Sequence, residues 1–339
     1  MEEKTDIMGL IGLMTRPVFC VKDNIIIKVN TAAELLQIST GKDVRELIQT
    51  GLEDYENLEN GCLILTLSLS GTAVNASVTR MGGFHVFVPE PDTDDAVLNA
   101  MALVARELRK PLSNVMHLTD QLLETANAEA KEQTMQLNRG LYQMLRIVGN
   151  LSYPTSGISA QEVRDIGSIV DEVMEKAQSL LSGKNLKISY EGLPRSVYCL
   201  VDSELLERAV LNLLSNAVKF TPEGGNIRVT FCLRGRRLQL QVQGGSGIAE
   251  QVQNDLFYRY LRQPGLEDSR YGLGLGMLVV RCCAAQHGGV VLVDRSPEGS
   301  SRITMTFAIR QTAGNQLRSP MNLLVDYTGG RDHTLVELS

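Results

Sequence analysis

Two asparagines and a lysine lie at helical spacing in the stretch 212–222, which reads NLLSNAVKFTP. Asn212, Asn216 and Lys219 are separated by four and then three residues, so a helix with about 3.6 residues per turn places them on one face. Carboxamide oxygens together with water can hold Mg²⁺, and a lysine ammonium can bind a phosphate group. The same pattern is typical of an ordinary amphipathic helix with a polar surface. Taken alone, the stretch favours a plain amphipathic helix over a nucleotide site.

Two glycine-rich stretches, QGGSG at 243–247 and GLGLGM at 272–277, could bring backbone N–H groups close to a ligand. Glycine has no Cβ, so the main chain can approach phosphate oxygens, and the N-terminus of a helix attracts anions. A helix is predicted over 277–286, directly after the second stretch. Glycine turns are common, so either stretch alone is a weak signal. The candidate glycines are Gly245, Gly247, Gly272, Gly274 and Gly276.

The composition is that of a soluble globular chain. At roughly 100 to 200 residues per domain, a length of 339 residues predicts two or three domains. The net charge of −6 argues against a dedicated nucleic-acid-binding protein. No apolar run approaches the roughly 20 residues that span a bilayer, and the acidic start MEEKTD is unlike a secretory signal. We therefore expect a cytoplasmic protein without a membrane span.

The six cysteines show neither a CxxC pair nor partner histidines at zinc-binding spacing. We therefore expect reduced thiols, most of them buried, and no zinc site. The cysteines are Cys20, Cys62, Cys199, Cys232, Cys282 and Cys283.

The first unit, residues 1–91, has the pattern of a mixed α and β domain. A strand pair and a helix with Thr31 as its N-cap are predicted first, and two further strands follow. The predicted bounds are 17–30 for the strand pair, 31–36 for the helix, and 62–69 and 84–88 for the later strands. This order resembles a PAS sensor domain in pattern and position. A small α+β dimerisation domain explains the pattern equally well.

Two long amphipathic helices are predicted over 94–126 and 129–151, after a polar, proline-containing break at 89–95. Their apolar residues follow heptad seams with alternating spacings of four and three, and Pro111 should kink the first helix. Together they form a hairpin at 94–152. A lone hairpin leaves apolar surface exposed, whereas the hairpins of two chains close a four-helix bundle. The sequence therefore predicts a homodimer.

The first of these helices contains ARELRKPLSN at 105–114, which resembles the phosphoacceptor box of sensor histidine kinases, H-E-L-R-x-P-L. Arg106 stands where the family has its phosphorylated histidine, and a guanidinium is always protonated, so it has no lone pair to attack a γ-phosphate. The resemblance makes Glu107 the general base of that step, with no imidazole beside it to deprotonate. Lys110 stands where the family's phosphatase chemistry prefers Thr or Asn. The matching residues are Glu107, Leu108, Arg109, Pro111 and Leu112.

Residues 160–310 resemble the ATP-binding domain shared by histidine kinases, gyrase and MutL. The motifs are NLLSNAVKFTP as the N-box, LFYRYLR at 256–262 as the F-box region, GLGLGM as the G2 box, and His287-Gly288-Gly289 before the last strand pair. The resemblance implies an α/β sandwich with ATP and Mg²⁺ as cofactors. It makes Asn216 the Mg²⁺ ligand, with Asn212 one turn earlier and Lys219 near the phosphates.

Two positions depart from this pattern. The family's G1 box, D-x-G-x-G, reads QGGSG here, so Gln243 replaces the aspartate that accepts a hydrogen bond from the adenine amino group. A glutamine amide can still accept that bond, but it is neutral, and the expected loss is on the order of 1 to 3 kcal/mol, a factor of about 5 to 150 in affinity. Arg208 stands where the family often has Glu or Gln, four residues before Asn212.

The sequence therefore predicts a multidomain α+β protein. Its parts are a PAS-like sensor domain at 1–91, a dimeric antiparallel helical hairpin at 94–152, an α/β-sandwich ATP-binding domain at 160–310 and a C-terminal tail at 311–339. We expect a cytoplasmic two-component pseudokinase that binds Mg·ATP weakly or not at all. It would regulate through contacts with a response regulator or a true histidine kinase. The alternative is an active ATP-dependent kinase that phosphorylates a partner or an unconventional histidine, for which His117 is the candidate.

Overall fold

The computed structural model describes residues 11–308 except residues 13, 15, 82, 91–94, 126–127, 152–160, 182–184, 236, 246–274 and 297. The predicted tail at 311–339 therefore lies outside the described residues. The strands are β1 Phe19–Lys22, β2 Ile25–Val29, β3 Ile48–Thr50, β4 Cys62–Leu69, β5 Thr72–Met81, β6 Phe84–Glu90, β7 Glu162–Asp165, β8 Lys187–Glu191, β9 Tyr198–Val201, β10 Asn226–Arg234, β11 Arg237–Gln243, β12 Val291–Arg295 and β13 Ser301–Ala308. The α-helices are α1 Thr31–Leu35, α2 Leu52–Glu56, α3 Asp95–Thr125, α4 Ala128–Leu151, α5 Ile166–Leu181, α6 Ser203–Phe220 and α7 Leu275–Gln286.

The N-terminal sheet, formed by β1 to β6, is antiparallel in the order β2-β1-β6-β5-β4, with β3 also paired to β4. The tight turn between β1 and β2 has Asp23 and Asn24 at positive φ, 49° and 64°. Asp and Asn tolerate this left-handed region better than most residues with a side chain, which explains the turn at the predicted place. The leucines of β4 are buried and pack in one core with residues of α1 and α2, such as Ala33 and Tyr55. This part of the chain is thus mixed α and β, as predicted.

The N-cap of α1 is Asn30, and the prediction of Thr31 was wrong by one residue. The Asn30 carboxamide oxygen accepts from the backbone N–H of Ala33. It also accepts from Val18 at 3.0 Å, while its nitrogen donates to the carbonyl of Met14. Asparagine and threonine are both good cap residues. Asn30 is the cap because a buried amide can satisfy the helix and the preceding segment together, which a threonine hydroxyl cannot do.

The helices α3 and α4 pack as an antiparallel hairpin. A small core between them contains Met116, Leu141 and Leu145, and α3 continues through Pro111. Seven other apolar residues of the hairpin are between 43 and 58% exposed within this chain. We call this surface the seam. It comprises Val104, Leu108, Val115, Leu118 and Leu122 of α3 with Leu137 and Met144 of α4.

The C-terminal part is an α/β sandwich. Strands β12, β13, β11, β10 and β8 lie side by side, with β8 parallel to β10 and the others antiparallel. One apolar core lies between this sheet and the helices α5, α6 and α7. Among the described residues, no helix has the length and apolar character needed to cross a membrane.

The N-terminal and C-terminal sheets are continuous. Strand β4 pairs with β12, and the full order is β2-β1-β6-β5-β4-β12-β13-β11-β10-β8. Strands β7 and β9 form a separate pair. Strands β3, β5 and β7 and helix α2 were not predicted from the sequence, which also carries no indication that β4 pairs with β12.

Candidate functional site

The candidate site is built on α6, which carries the two asparagines and the lysine. The helix begins after Asp202, whose carboxylate accepts from the backbone N–H of Leu205 at 3.0 Å. It ends at Thr221, whose hydroxyl donates to the carbonyl of Ala217 at 2.6 Å. Such caps satisfy backbone groups that the helix itself leaves without partners. The helix is thus fixed at both ends inside the C-terminal sandwich.

Asn212 is buried, at 4% exposure, and not on a uniformly polar surface as the helical pattern had predicted. Its amide nitrogen donates to the carbonyl of Arg208 at 2.9 Å. Its oxygen faces the first turn of α7, where a Cβ built on Gly276 would lie 2.3 Å from Oδ1. A side chain at Gly276 would therefore require the Asn212 carboxamide or one of the two helices to move. The two helices meet at two of the residues that the sequence had selected.

The other two residues of the polar face are more accessible. Asn216 is half-buried and Lys219 is exposed. The ammonium of Lys219 lies 5.5 Å from the centre of the Phe220 ring, a cation–π distance. Burial therefore decreases along this face towards the C-terminal end of α6.

The loop after β11 packs against the C-terminal end of α6. Gly245 has φ of +68°, and a Cβ there would lie 2.4 Å from the carbonyl oxygen of Phe220. Two backbone hydrogen bonds connect Gly244 and Gly245 with Ser301 of β13. A side chain at Gly245 would be strained in conformation and would collide with the helix. The glycine at this position is therefore required for the loop to reach α6.

Gln243, the last residue of β11, is held by side chains from the turn between β12 and β13. Its amide nitrogen donates to Ser300 Oγ at 2.8 Å and to Glu298 Oε2 at 3.3 Å. Both partners accept from the nitrogen, so the carboxamide is oriented with Oε1 turned away from them. Sequence analysis missed Ser300 and Glu298, because a contact across 55 or more residues leaves no local pattern.

The C-terminal end of α7 is tied to the start of α6 by His287. The ring is buried, at 4% exposure. Nε2 accepts from the backbone N–H of Asp202 at 3.1 Å, and Nδ1 lies 2.7 Å from the carbonyl oxygen of Cys283. An N–H can only donate and a carbonyl can only accept, so these partners require the neutral ring with its proton on Nδ1. His287 is thus a structural residue that holds α6 and α7 side by side.

Comparisons with known proteins agree with this arrangement. Residues 201–311 match the family described as histidine kinase-, DNA gyrase B-, and HSP90-like ATPase. The sensor histidine kinase TmoS of Ectopseudomonas mendocina is 27% identical over 65% of this chain and 24% of its own length. The adaptive-response sensory kinase SasA of Prochlorococcus marinus is 27% identical over 80% of this chain and 74% of its own length. The chain is thus similar to sensor histidine kinases, and residues 201–311 match the ATPase family that they share with DNA gyrase B and HSP90.

A crystal structure of full-length ShkA in complex with AMPPNP is similar at 25% sequence identity and a TM-score of 0.45, covering 63% of this chain and 47% of that one. The chain spans 15 to 58% of the length of five of the curated relatives that it matches. The part of the chain that matches the ATPase family contains α6, Gln243 and α7.

The position of the family's phosphoacceptor lies within α3. Arg106 is part of this helix, and its side chain lies outside the described part of the chain. Glu107 and Lys110 are exposed on the same helix. His117, further along, is exposed and lies 3.2 Å from Gln121 through its Nε2. The sequence box at 105–114 thus lies within a single helix of the hairpin.

The described site residues can supply one of the ligands of a magnesium ion, but not the full set. Among the described residues there is no group of three or more His, Cys, Asp or Glu side chains that could hold a metal. A half-buried carboxamide such as Asn216 can supply one oxygen, and Mg²⁺ commonly completes its six ligands with water and substrate phosphates. Gly247, Gly272 and Gly274 lie outside the described residues.

Proposed function

We propose that this protein is a two-component pseudokinase that regulates through protein contacts. The observation that carries the proposal is Arg106, at the position of the family's phosphorylated histidine. Its guanidinium keeps its proton at any physiological pH, so it cannot take up a phosphoryl group there. The neighbouring general base, Glu107, is exposed with no imidazole at position 106 to activate. Autophosphorylation at the usual site is therefore lost.

The proposed nucleotide site has Mg·ATP between α6, the Gln243 loop and the start of α7. Asn216 is the proposed Mg²⁺ ligand, and Lys219 the proposed phosphate contact. Gln243 would accept from the adenine amino group through Oε1, since its nitrogen already donates to Ser300 and Glu298. A neutral acceptor makes a weaker bond than a carboxylate, so we expect weak binding.

The proposed assembly is a homodimer closed through the seam. Its apolar residues, from Val104 to Met144, are about half exposed within one chain. Exposed contiguous apolar surface of this kind usually marks an interface. Two hairpins that face each other through their seams would bury it in a four-helix bundle. A response regulator or a true histidine kinase, the latter as a heterodimer through the same seam, is the proposed target of regulation.

We also propose a division of the chain into three domains and a tail. Residues 1–91 would be a PAS-like sensor domain, 94–152 the dimerisation hairpin, 160–310 the ATP-binding domain and 311–339 a tail. The separate apolar cores of the N-terminal sheet and of the C-terminal sandwich support the first and third units.

Labelled ATP tests the proposal. The chain should take up no covalent label, whereas Arg106→His combined with Gln243→Asp should give label that is stable to base and lost in acid, as expected of a phosphohistidine. Arg106→Lys with Gln243→Asp is the matched control, since it changes the same positions without an imidazole. Acid-labile label on the unaltered chain would contradict the pseudokinase proposal.

A second candidate is an active kinase, favoured by the exposure of His117. This histidine is eleven residues from Arg106 on α3, about 16 Å along the axis at 1.5 Å per residue, so the ATP-binding domain would have to shift to reach it. Label on the unaltered chain that disappears in His117→Gln would favour this candidate. Label found on an added response regulator alone would favour phosphorylation of a partner in trans.

A further inference from the structure

The contact between the N-terminal and C-terminal sheets is short. Three residue pairs connect β4 with β12, namely Cys62 with Val293, Leu63 with Leu292 and Ile64 with Val291. We call these three pairs the junction. By comparison, eight pairs connect β4 with β5. Three pairs also connect β1 with β6 inside the N-terminal sheet, so the junction is as short as the shorter contacts of that sheet, and local contacts of this kind can open at a lower free energy than global unfolding.

Side chains from each part enter the core of the other. Ile64 of β4 belongs to the core of the C-terminal sandwich, while Val290, just before β12, belongs to the core of the N-terminal sheet. Two glycines make room for this. A Cβ on Gly51 would lie 2.5 Å from Val290 Cγ1, and one on Gly61 would lie 2.4 Å from the carbonyl oxygen of Val293. The junction is therefore a fitted contact and not a loose approach of two edges.

Two ion pairs lie beside the junction. Arg237 of β11 binds Asp54 of α2 at 2.5 Å, and Arg281 of α7 binds Glu90 at the end of β6. The Arg281 side chain is 14% exposed and that of Glu90 is 23% exposed. Partly buried pairs are screened less by salt than exposed ones. They hold the two parts together at two further points.

The pair of Arg281 and Glu90 connects three parts of the molecule. Arg281 lies on α7, whose first turn contacts Asn212 through Gly276. Glu90 is the last residue of the N-terminal sheet and precedes the start of α3 by five residues. A change in the N-terminal sheet therefore has a direct mechanical route to the helix that borders the nucleotide site.

We propose that the junction is a reversible clamp through which the N-terminal sheet restrains α7, with the ion pair of Glu90 and Arg281 as its contact to the helix. In the closed form α7 is held between Asn212 and Glu90. Opening the three strand pairs releases it. A signal that opens the clamp would then change nucleotide affinity, and nucleotide would change the clamp to the same degree, because such coupling is reciprocal. The last step rests on the proposed nucleotide site, whereas the clamp itself does not.

A native cysteine allows the clamp to be locked. Directly opposed residues of an antiparallel pair lie on the same side, with Cα atoms about 4.5 to 5.5 Å apart, which is within the range of a disulfide. Val293→Cys should therefore form a disulfide with Cys62 inside one chain after mild oxidation. Leu292→Cys, opposite Leu63, is the matched control without a cysteine partner. Peptide mapping by mass spectrometry and non-reducing gels identify the bond.

Hydrogen exchange then measures the restraint on α7. Oxidised Val293→Cys should slow amide exchange in α7 relative to its reduced form, while Leu292→Cys should show no such difference. Glu90→Gln should accelerate exchange in α7 by on the order of tenfold, and oxidation in the double variant should still protect the strands but restore less protection to α7. A disulfide between two chains, or equal exchange of α7 in the locked and unlocked forms, would overturn the clamp.

Calorimetric titration with Mg·ATP separates this proposal from the nucleotide site. If exchange in α7 depends on the lock and no form binds ATP, the clamp stands and the proposed nucleotide site fails. If ATP binds and amide exchange in α7 is the same in oxidised and reduced Val293→Cys, the clamp is wrong and the proposed nucleotide site stands. A nucleotide affinity that differs between the oxidised and reduced forms would support both.

Discussion

The helices α6 and α3 have the same kind of apolar pattern in the sequence, but their apolar faces differ in burial within this chain. In both, apolar residues recur at spacings of three and four. Leu213 and Leu214 of α6 are 0% exposed inside the C-terminal sandwich, whereas Leu118 and Leu122 of α3 are 57 and 58% exposed. An apolar face predicts that something covers it, but it does not say whether the cover comes from the same chain.

The polar residues of the two helices differ in the same way. Asn212 of α6 is buried against Gly276, and every contact that holds it comes from this chain. On α3 the buried polar residue is Thr119, which bonds to Asn138 of α4 on the inner side of the hairpin. The residues of the seam are instead about half exposed within this chain. The described contacts of Asn212 are thus buried inside the sandwich, whereas the proposed function of the seam requires a second chain.

The largest expected effect follows from charges placed in the seam. Leu118→Glu with Leu122→Glu should weaken the proposed homodimer by roughly hundredfold or more, because each carboxylate would have to be buried without a partner. Sedimentation at several protein concentrations measures the change. Asn114→Glu, an exposed position of the same helix, is the control and should leave the association unchanged.

The same double variant also tests the other half of the comparison. Mg·ATP affinity, if measurable in the unaltered chain, should be the same in the monomeric variant, because the described site residues all belong to one chain. Loss of nucleotide binding together with the dimer would show that α6 depends on the assembly after all.

A smaller effect is expected at the adenine end of the α6 site. Gln243→Asp should tighten Mg·ATP binding by about 1 to 3 kcal/mol, since a carboxylate makes the stronger hydrogen bond to the adenine amino group. Gln243→Asn is the control, because it has the same length as the aspartate and lacks the charge. Equal affinities of the two variants by calorimetry would show that charge at this position is unimportant.

Next in size is a substitution where α6 meets α7. Gly276→Ala would place a Cβ 2.3 Å from Asn212 Oδ1, so the Asn212 carboxamide or one of the two helices must move, at a cost of about 2 kcal/mol in the free energy of unfolding. Gly140→Ala in α4 is the control, because nothing lies within 4 Å of its Cβ and alanine favours a helix by about 1 kcal/mol. Thermal unfolding should show opposite changes in melting temperature. A melting temperature of Gly276→Ala at or above that of the unaltered chain would mean that the helices are not this close in solution.

Local patterns predicted most elements of the fold. The strand over 62–69 has the predicted bounds, and Asn212, Asn216 and Lys219 lie on one helix as expected, α6 over Ser203–Phe220. Strand β5 was missed because its buried centre has small residues, including Ala76 and Ser77, instead of a clear apolar alternation. The small size of these residues is explained by their position inside a sheet that is covered on both sides.

Contacts between distant parts could not be predicted in the same way. The sequence predicted which residues belong to the site, but it did not predict their burial or their contacts with one another. These residues are Asn212, Gln243, Gly245 and Gly276. Asn212 was expected on a polar surface, and its burial depends on Gly276 being small, more than 60 residues later. The pairing of β4 with β12 could not be predicted either, because the sequence of neither strand indicates which strand lies beside it.

The smallest effect concerns the polar contact inside the hairpin. The hydroxyl of Thr119 donates to Asn138 Oδ1. The side-chain nitrogen of Asn138 in turn donates to Asp120 Oδ1 at 3.2 Å. Asn138→Leu alone removes a buried partner of Thr119, as does Thr119→Val alone, and each should cost about 1 kcal/mol in unfolding free energy. The double variant Thr119→Val with Asn138→Leu should be nearly neutral, since it replaces both partners by apolar groups. Denaturant titration of the single and double variants measures the coupling.

The coupling energy between Thr119 and Asn138 tests whether the hairpin of α3 and α4 is stable without a second chain. If the inner contact is complete within the hairpin, the coupling between Thr119 and Asn138 should be the same in the unaltered dimer and in the monomeric Leu118→Glu, Leu122→Glu background. A coupling that disappears in the monomer would mean that the hairpin itself forms only when a second chain covers the seam. In that case α3 would lack a stable fold alone, and the contrast with α6 would extend from the surface of the helix to its core.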